Sequence, residues 1–313
     1  MAFPRVLPRS ALNLTTVISA VLAVLVLLPF SSIYASESDN GQSLNWIGPE
    51  GSVLPFKTYA EIEDFLRSAQ ITSVEKIKVG INETKKVILQ KDGIQMTAAF
   101  RDVEIFKQRF EDRNGLRFNF RDSCIYECAA YELSKMLGLP HVPPVVRRTL
   151  ELEDFVNSKD FKKFEDQEGT MQAWVEDAFT EKDRVDKKQR PPDFGAWAQQ
   201  HHLMALFDNL IFNDDRNLGN ILIGPDWKIW FIDSTRSFRT FAELKDPEKI
   251  KRCDRSIWEN LQKLTDEQLD ATLSELLREP ELRTLKERRL LLISHIEGLI
   301  EQYGESSILF SIY

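Results

Sequence analysis

Asp215, Asn220 and Asp233 lie where oxygen-bearing side chains gather between apolar segments. The run reads Phe207-Asp208-Asn209-Leu210-Ile211-Phe212-Asn213-Asp214-Asp215-Arg216-Asn217-Leu218-Gly219-Asn220-Ile221-Leu222-Ile223. After a Gly224-Pro225-Asp226 turn it ends on Trp230-Phe231-Ile232-Asp233. Carboxylates and amides beside an apolar strand are costly to bury without partners. A hard cation is such a partner, since Mg²⁺ is held by one or two carboxylates plus substrate phosphates. Phosphoryl transfer needs this set: an Asp for the attacking hydroxyl's proton, and an Asn and an Asp on the metal that neutralises the phosphates. Asn220 follows Asp215 by five positions and Asp233 follows it by eighteen. This spacing makes Asp215 the candidate base and Asn220 and Asp233 the candidate ligands of Mg²⁺ or Mn²⁺. The competing bland reading is an Asx-rich turn followed by a strand-end cap.

Such a loop has to be carried by a helix before it and a hairpin after it. Asp193 can cap a helix through Trp197, Leu203, Leu206 and Ile211, and residues 221–223 and 227–232 pattern as short strands. Upstream, Thr58 and Glu61 form a capping box ahead of Ile62, Phe65 and Leu66. Strands are expected at 74–79, 86–90 and 95–101, with Asp92-Gly93 as a hairpin turn. Asp122-Ser123 should open a helix carrying Tyr126, Ala129, Ala130, Leu133 and Leu137, which Gly138 ends. Residues 142–146 read as an edge segment, 150–168 as an insertion helix, 171–175 as a strand and 181–192 as a surface loop. After Phe238 the pattern is helical, with a capping box at Thr265 and a long amphipathic helix over 282–300. The fold class is therefore α+β, a small β-rich lobe followed by a mostly helical one.

The chain has 313 residues and a net charge of −8, with 42% hydrophobic and 29% charged residues. That describes a folded protein and argues against nucleic acid as a partner, which needs a basic face. Arg5 and Arg9 precede an apolar run over 14–30, and Ala35 closes the segment. Residues 1–35 read as a secretory signal or as an uncleaved anchor giving membrane attachment through 14–30. Either way the remainder is expected outside the cytoplasm: periplasmic, lumenal or secreted. Residues 36–56 read as a linker. Cys124, Cys128 and Cys253 are an odd count in an exported chain, either buried thiols or a bridge from Cys253 to one of the others.

The segment from Asn213 to Asp233 resembles the catalytic and metal loops of atypical kinases. These include secretory-pathway kinases of the Four-jointed type, HipA-like kinases and phosphatidylinositol kinases. Asn213, Asp215, Asn220 and Asp233 match their shared pattern. Tyr126 to Leu133, with Leu137-Gly138-Leu139-Pro140-His141-Val142-Pro143-Pro144, is similar to the helix and following strand of the exported members. The resemblance implies a two-lobed kinase-like fold, with residues 57–178 as N-lobe and 179–313 as C-lobe, binding ATP. It also implies a strand cation on the phosphates, paired with a helix glutamate. Glu127 matches the glutamate, but Arg101 stands where the family has Lys, with Lys107 a weaker substitute. The stretch from Trp174 to Glu176 is placed as the adenine-facing hinge. The phosphate-covering loop is weak, with one glycine in Val79-Gly80-Ile81-Asn82.

The implied activity is phosphotransfer to a hydroxyl of a protein, sugar or lipid. A non-catalytic pseudokinase, or a nucleotidyl transferase on the same fold, are the alternatives. The export reading makes a direct prediction: a phosphatase export reporter fused after Gly51 is active. Activity confined to the cytoplasm overturns it.

Overall fold

The computed structural model describes residues 45–77, 84–112 and 115–312. The signal or anchor segment lies outside these residues. Among the described residues no helix is long and apolar enough to cross a membrane.

The N-terminal half is built on a five-stranded sheet. Helix α1 (Tyr59–Ser68) starts as the capping box requires: Thr58 Oγ1 accepts from Glu61 N at 3.3 Å, and Glu61 accepts from Thr58 N at 3.4 Å. Strands β1 (Gln70–Lys76), β2 (Lys85–Lys91) and β3 (Ile94–Arg101) form the expected meander. Asp92 (φ 52°) and Gly93 (φ 78°) both take the left-handed backbone that a two-residue hairpin needs. Two further strands, β4 (Glu104–Asp112) and β5 (Gly115–Ser123), make a separate antiparallel hairpin that the sequence reading did not anticipate. Its missed signal was Asn114-Gly115 between two alternating runs. The helix expected to open at Asp122 opens later, as α2 (Ile125–Leu137), because Asp122 and Ser123 are still paired in β5. Gly138 (φ 67°) ends α2, and Leu139 N bonds back to Ser134 O at 2.8 Å.

Strand β6 (Val145–Thr149) is an edge, as Pro143 and Pro144 just before it suggest. The insertion expected as one helix is a 3-10 turn at Leu152–Asp154 and a four-residue helix α3 (Ser158–Phe161). Phe155 and Phe164 turn inward and stack there, and Val156 N bonds Ile71 O at 3.0 Å, so the segment is a strap across the sheet. Strand β7 (Glu168–Ala173) returns between β3 and β6, giving the order β1-β2-β3-β7-β6. One face, with Leu89, Met96, Phe100 and Met171, packs on Ile62, Phe65 and Leu66 of α1. Trp46, Leu54 and Phe56 are buried in the same cluster, so the end of the stretch read as linker is part of this core.

The C-terminal half begins at β8 (Phe179–Thr180) and α4 (Glu181–Asp186), a capped turn where a loop was expected. Helix α5 (Phe194–Leu210) starts at Asp193, whose Oδ1 accepts from Gly195 N and Ala196 N. Strands β9 (Ile221–Ile223) and β10 (Ile229–Phe231) complete a small sheet with β8. Then come β11 (Cys253–Asp254), α6 (Arg255–Lys263), α7 (Asp266–Leu273), α8 (Glu279–Tyr303), α9 (Glu305–Ile308) and β12 (Leu309–Phe310). Residues of α2, α5, α6, α7 and α8 share one core. All three cysteines are buried and free.

Gly169 lets β7 approach β3 where the site begins. A Cβ there would lie 2.3 Å from Arg101 O and 2.6 Å from Phe100 Cζ. Gly169→Ala is expected to cost about 1–3 kcal/mol, the usual range for overpacking, measured by urea denaturation; an unchanged midpoint rejects this role.

Candidate active site

Alternation along β3 sends Phe100 to the core face and Arg101 to the opposite one, facing α2. There Arg101 Nη1 pairs with Glu127 Oε1, and lies 3.5 Å from Asp233 Oδ1. Glu127 Oε1 also accepts from Ser234 N at 3.2 Å. Three elements far apart in sequence thus converge on one buried charge cluster. Burial works against the Arg101 charge, but Glu127, Asp233 and Asp122 together hold its pKa above the ordinary value. Burial drives the Glu127 carboxyl upward, with Arg101 opposing and Asp233 adding to the rise. Asp233 sits just beyond β10 with φ 61°, a left-handed conformation that non-glycine residues hold only under constraint.

The loop between α5 and β9 is held by guanidinium clamps. Asp208 accepts from Arg216 Nε at 2.9 Å and from Asn213 Nδ2 at 3.1 Å. Arg216 Nη1 then donates to Asn220 O at 2.5 Å and Ile232 O at 2.8 Å, joining loop to hairpin. Asn213 Oδ1 accepts from Asp215 N, and Asn220 Nδ2 donates to Asp215 O at 2.9 Å. These are the turn bonds of the bland reading, yet they leave the Asn220 Oδ1 and the Asp215 carboxylate for other partners. Asp215 Oδ2 accepts from Arg236 Nη1 at 3.1 Å. Burial raises the Asp215 pKa, Arg236 opposes it, and Asp233 adds to the rise.

Glu176 is not part of this cluster. It accepts a hydrogen bond from Thr97 Oγ1, and Trp174 N bonds Thr97 O at 3.1 Å. Thr97 is four residues along β3 from Arg101, about 13 Å at strand rise. Lys107 lies on the β4–β5 hairpin, over the Phe110 ring. Lys85 is buried against Asp102 at 2.6 Å on the core face, whereas Lys86 stands over Trp174. Arg236, which escaped the sequence reading, is joined at 2.8 Å to Asp122, which was expected only to open a helix. The signal for Arg236 was its place three residues after Asp233. Beside Asp215 lies a cavity of about 690 Å³, walled by Leu116, Phe118, Phe241, Arg117, Arg239 and Lys245.

Among the described residues no group of three or more His, Cys, Asp or Glu could hold a metal ion by itself. The donors fit a hard cation that takes a carboxylate and an amide here and completes its shell with phosphates and water. Buried Glu127 Oε2, Ser234 Oγ and Arg101 Nε have no protein partner, so polar capacity is left at this end of the cluster.

No family model matches the chain, and neither does any curated protein. Solved structures do. One described as hydra Fam20 with sugar matches with a TM-score of 0.59 at 16% identity, covering 88% of this chain and 97% of that one. The Golgi casein kinase matches at 0.56 and 17%, covering 80% and 78%. Its structure with Mn/ADP bound matches at 0.56 and 18%, with the same coverage. The chain therefore has the two-lobed fold of these atypical kinases.

Removing Glu127 strands a buried guanidinium. Glu127→Gln is expected to cost roughly 3–5 kcal/mol, and Arg101→Met with Glu127→Met to recover most of it. Chemical denaturation of the single and double variants checks this, and a loss under about 1 kcal/mol in Glu127→Gln refutes the pairing.

Proposed function

We propose that this chain is an ATP-dependent phosphotransferase acting on a hydroxyl acceptor, exported from the cytoplasm. The observation that carries the reading is the meeting of Arg101, Glu127 and Asp233 beside a loop presenting Asp215 and Asn220. Asp233 and Asn220 would hold Mg²⁺ or Mn²⁺, which when bound supplies charge neutralisation for the phosphates. Arg101 grips phosphate oxygens with its fork while Glu127 fixes its direction. Asp215 orients the acceptor hydroxyl and takes its proton, and the adjoining cavity receives the acceptor. The segment from Trp174 to Glu176 receives the adenine. The neighbour with Mn/ADP bound supports nucleotide and metal; the neighbours' names supply casein and a sugar as acceptor probes. The boundaries at 57–178 and 179–313 belong to the same reading, as does export or anchoring through 1–35.

A pseudokinase is favoured by one observation: Arg101 spans Glu127 and Asp233, so its charge is already engaged. Labelled ATP decides. With γ-labelled ATP, Mn²⁺ and dephosphorylated casein or a free sugar, wild type transfers label; label moving from α-labelled ATP instead indicates nucleotidyl transfer. Asp215→Ala is expected to lower turnover by about 10²–10⁴ while ADP binding holds, the pattern of an interaction made in the transition state. Asp233→Ala abolishes the metal-dependent part of the ADP thermal shift. Binding of ADP with no transfer by wild type or by Arg101→Lys rejects the enzyme and leaves the binding module.

A further inference from the structure

The cavity beside Asp215 has a wall richer in cations than in carboxylates. Arg117, Arg239 and Lys245 line it, against Asp214 and Asp215. Asp214 Oδ2 accepts from Arg117 Nη1 at 2.7 Å, and Lys245 Nζ stands 3.9 Å from Asp214 Oδ1. Asp215 is engaged by Arg236. Arg239 is left without a carboxylate of its own: among the described residues it forms no ion pair. It is 6% exposed, its Nη1 and Nη2 donate to Asn119 O and Phe118 O, and its Nε has no partner. Burial lowers its pKa; Asp214 opposes the fall and Arg117 adds to it. A buried cation short of counter-charge is the condition that an anionic ligand relieves. In a chain of net charge −8, such a wall draws an anion against the overall field.

The same hydrogen bonds restrict the ligand's shape. An extended peptide recognised as an added strand needs free carbonyls along a sheet edge. On β5 the carbonyls of Phe118 and Asn119 are taken by Arg239, and Asn119 (φ 50°) breaks the extended backbone there. The volume of about 690 Å³ lies within the usual range for a small ligand. Phe118 and Phe241 are 62% and 46% exposed, apolar faces against which the CH face of a sugar ring packs. From these features we infer that the acceptor is an anionic sugar, with a ring hydroxyl for Asp215 and a carboxylate or phosphate on the same unit for Arg239, Arg117 and Lys245 adding charge. The inference rests on the reading of this cavity as the acceptor site. In the transfer the hydroxyl oxygen bonds the γ-phosphorus, the bond from that phosphorus to the β-phosphate oxygen breaks, ADP leaves, and the hydroxyl proton goes to Asp215.

Binding is measured first, without turnover. The full chain, with ADP and Mn²⁺ present to occupy the nucleotide site, is titrated by isothermal calorimetry with glucuronate, glucose 6-phosphate and glucose. At least one anionic sugar is expected to bind about tenfold or more tightly than glucose, the worth of one charge-assisted hydrogen bond; which one binds names the anion. Arg239→Gln and Lys245→Gln each bring that affinity toward the value for glucose. The Lys245 side chain is 29% exposed, so its variant carries the test if Arg239→Gln does not fold. Equal affinity for all three sugars, no binding of any, or a preference that both variants retain overturns the inference. Tighter binding of a glutamate-rich serine peptide than of either anionic sugar also overturns it, since the ligand is then a polypeptide. Transfer of γ-label separates the ligand from the enzyme. Transfer to glucose or casein with no preference for an anionic sugar keeps the enzyme and rejects the anionic sugar. Anion-selective binding with no transfer keeps the ligand class and rejects the phosphotransferase.

Discussion

One buried ion pair between β3 and α2, Arg101 with Glu127, sets the terms for the rest of the structure. Taking both ions out of water costs several kcal/mol each, returned only with close geometry and further hydrogen bonds. Each surrounding feature contributes to that geometry. Gly169 has no side chain, so β7 can press β3 at Arg101. Helix α2 starts one strand-end later than its sequence suggests, which carries Glu127 under the sheet. The chain turns left-handed at Asp233, which brings Ser234 N onto the Glu127 carboxylate and the Asp233 carboxylate near Arg101.

The irregular backbone around the site is held mostly by arginine donors. Arg216 satisfies Asn220 O and Ile232 O, and Arg239 satisfies Phe118 O and Asn119 O. Arg288 of α8 reaches Leu210 O, Arg239 O and Phe241 O. Buried carbonyls outside helices and sheets need donors from somewhere. A guanidinium supplies several in one plane, so one side chain locks two segments at once. The cost shows at Arg288, where burial pulls the pKa down to about 9. These clamps connect the long helix α8, the cavity wall and the loop bearing Asp215 without a continuous hydrogen-bonded ladder.

Local chemistry explains what could be read beforehand. Thr58, Asp193, Thr265 and Gly138 mark helix ends through bonds to adjacent backbone, so their positions were legible. So was the loop–hairpin–strand order ending on Asp233, since it depends on turn residues and apolar runs. Arg101 and Glu127 could be named only through resemblance, because their meeting depends on strand register. Arg236 and Asp122 are 114 residues apart, and no local pattern announces such a contact. Residues 150–168 misled for a different reason. A charged, Phe-bearing run suggested a helix, but Phe155, Phe161 and Phe164 do not share a helix face; they cover a sheet, whose surface rewards burial without requiring helical backbone.

The arginine at position 101 is best understood through the two carboxylates it meets. An ammonium is a compact point charge, able to serve Glu127 and then turn its remaining protons toward phosphate. A guanidinium is larger, and here its Nη1 faces both carboxylates, pairing with Glu127 Oε1 and lying 3.5 Å from Asp233 Oδ1. Asp233 is thus close enough to contribute to the pKa rise of Arg101. The arginine therefore links the roof of the cleft to the candidate metal ligand, a task that lysine would leave to the metal and phosphates themselves. A site so linked is partly assembled before any ligand arrives. On the proposed phosphotransferase function, nucleotide binding would then cost less ordering, while the phosphate would have to share a cation that already has two carboxylates. Nucleotide affinity and speed of transfer would in this way be pulled in different directions by the arginine at this position.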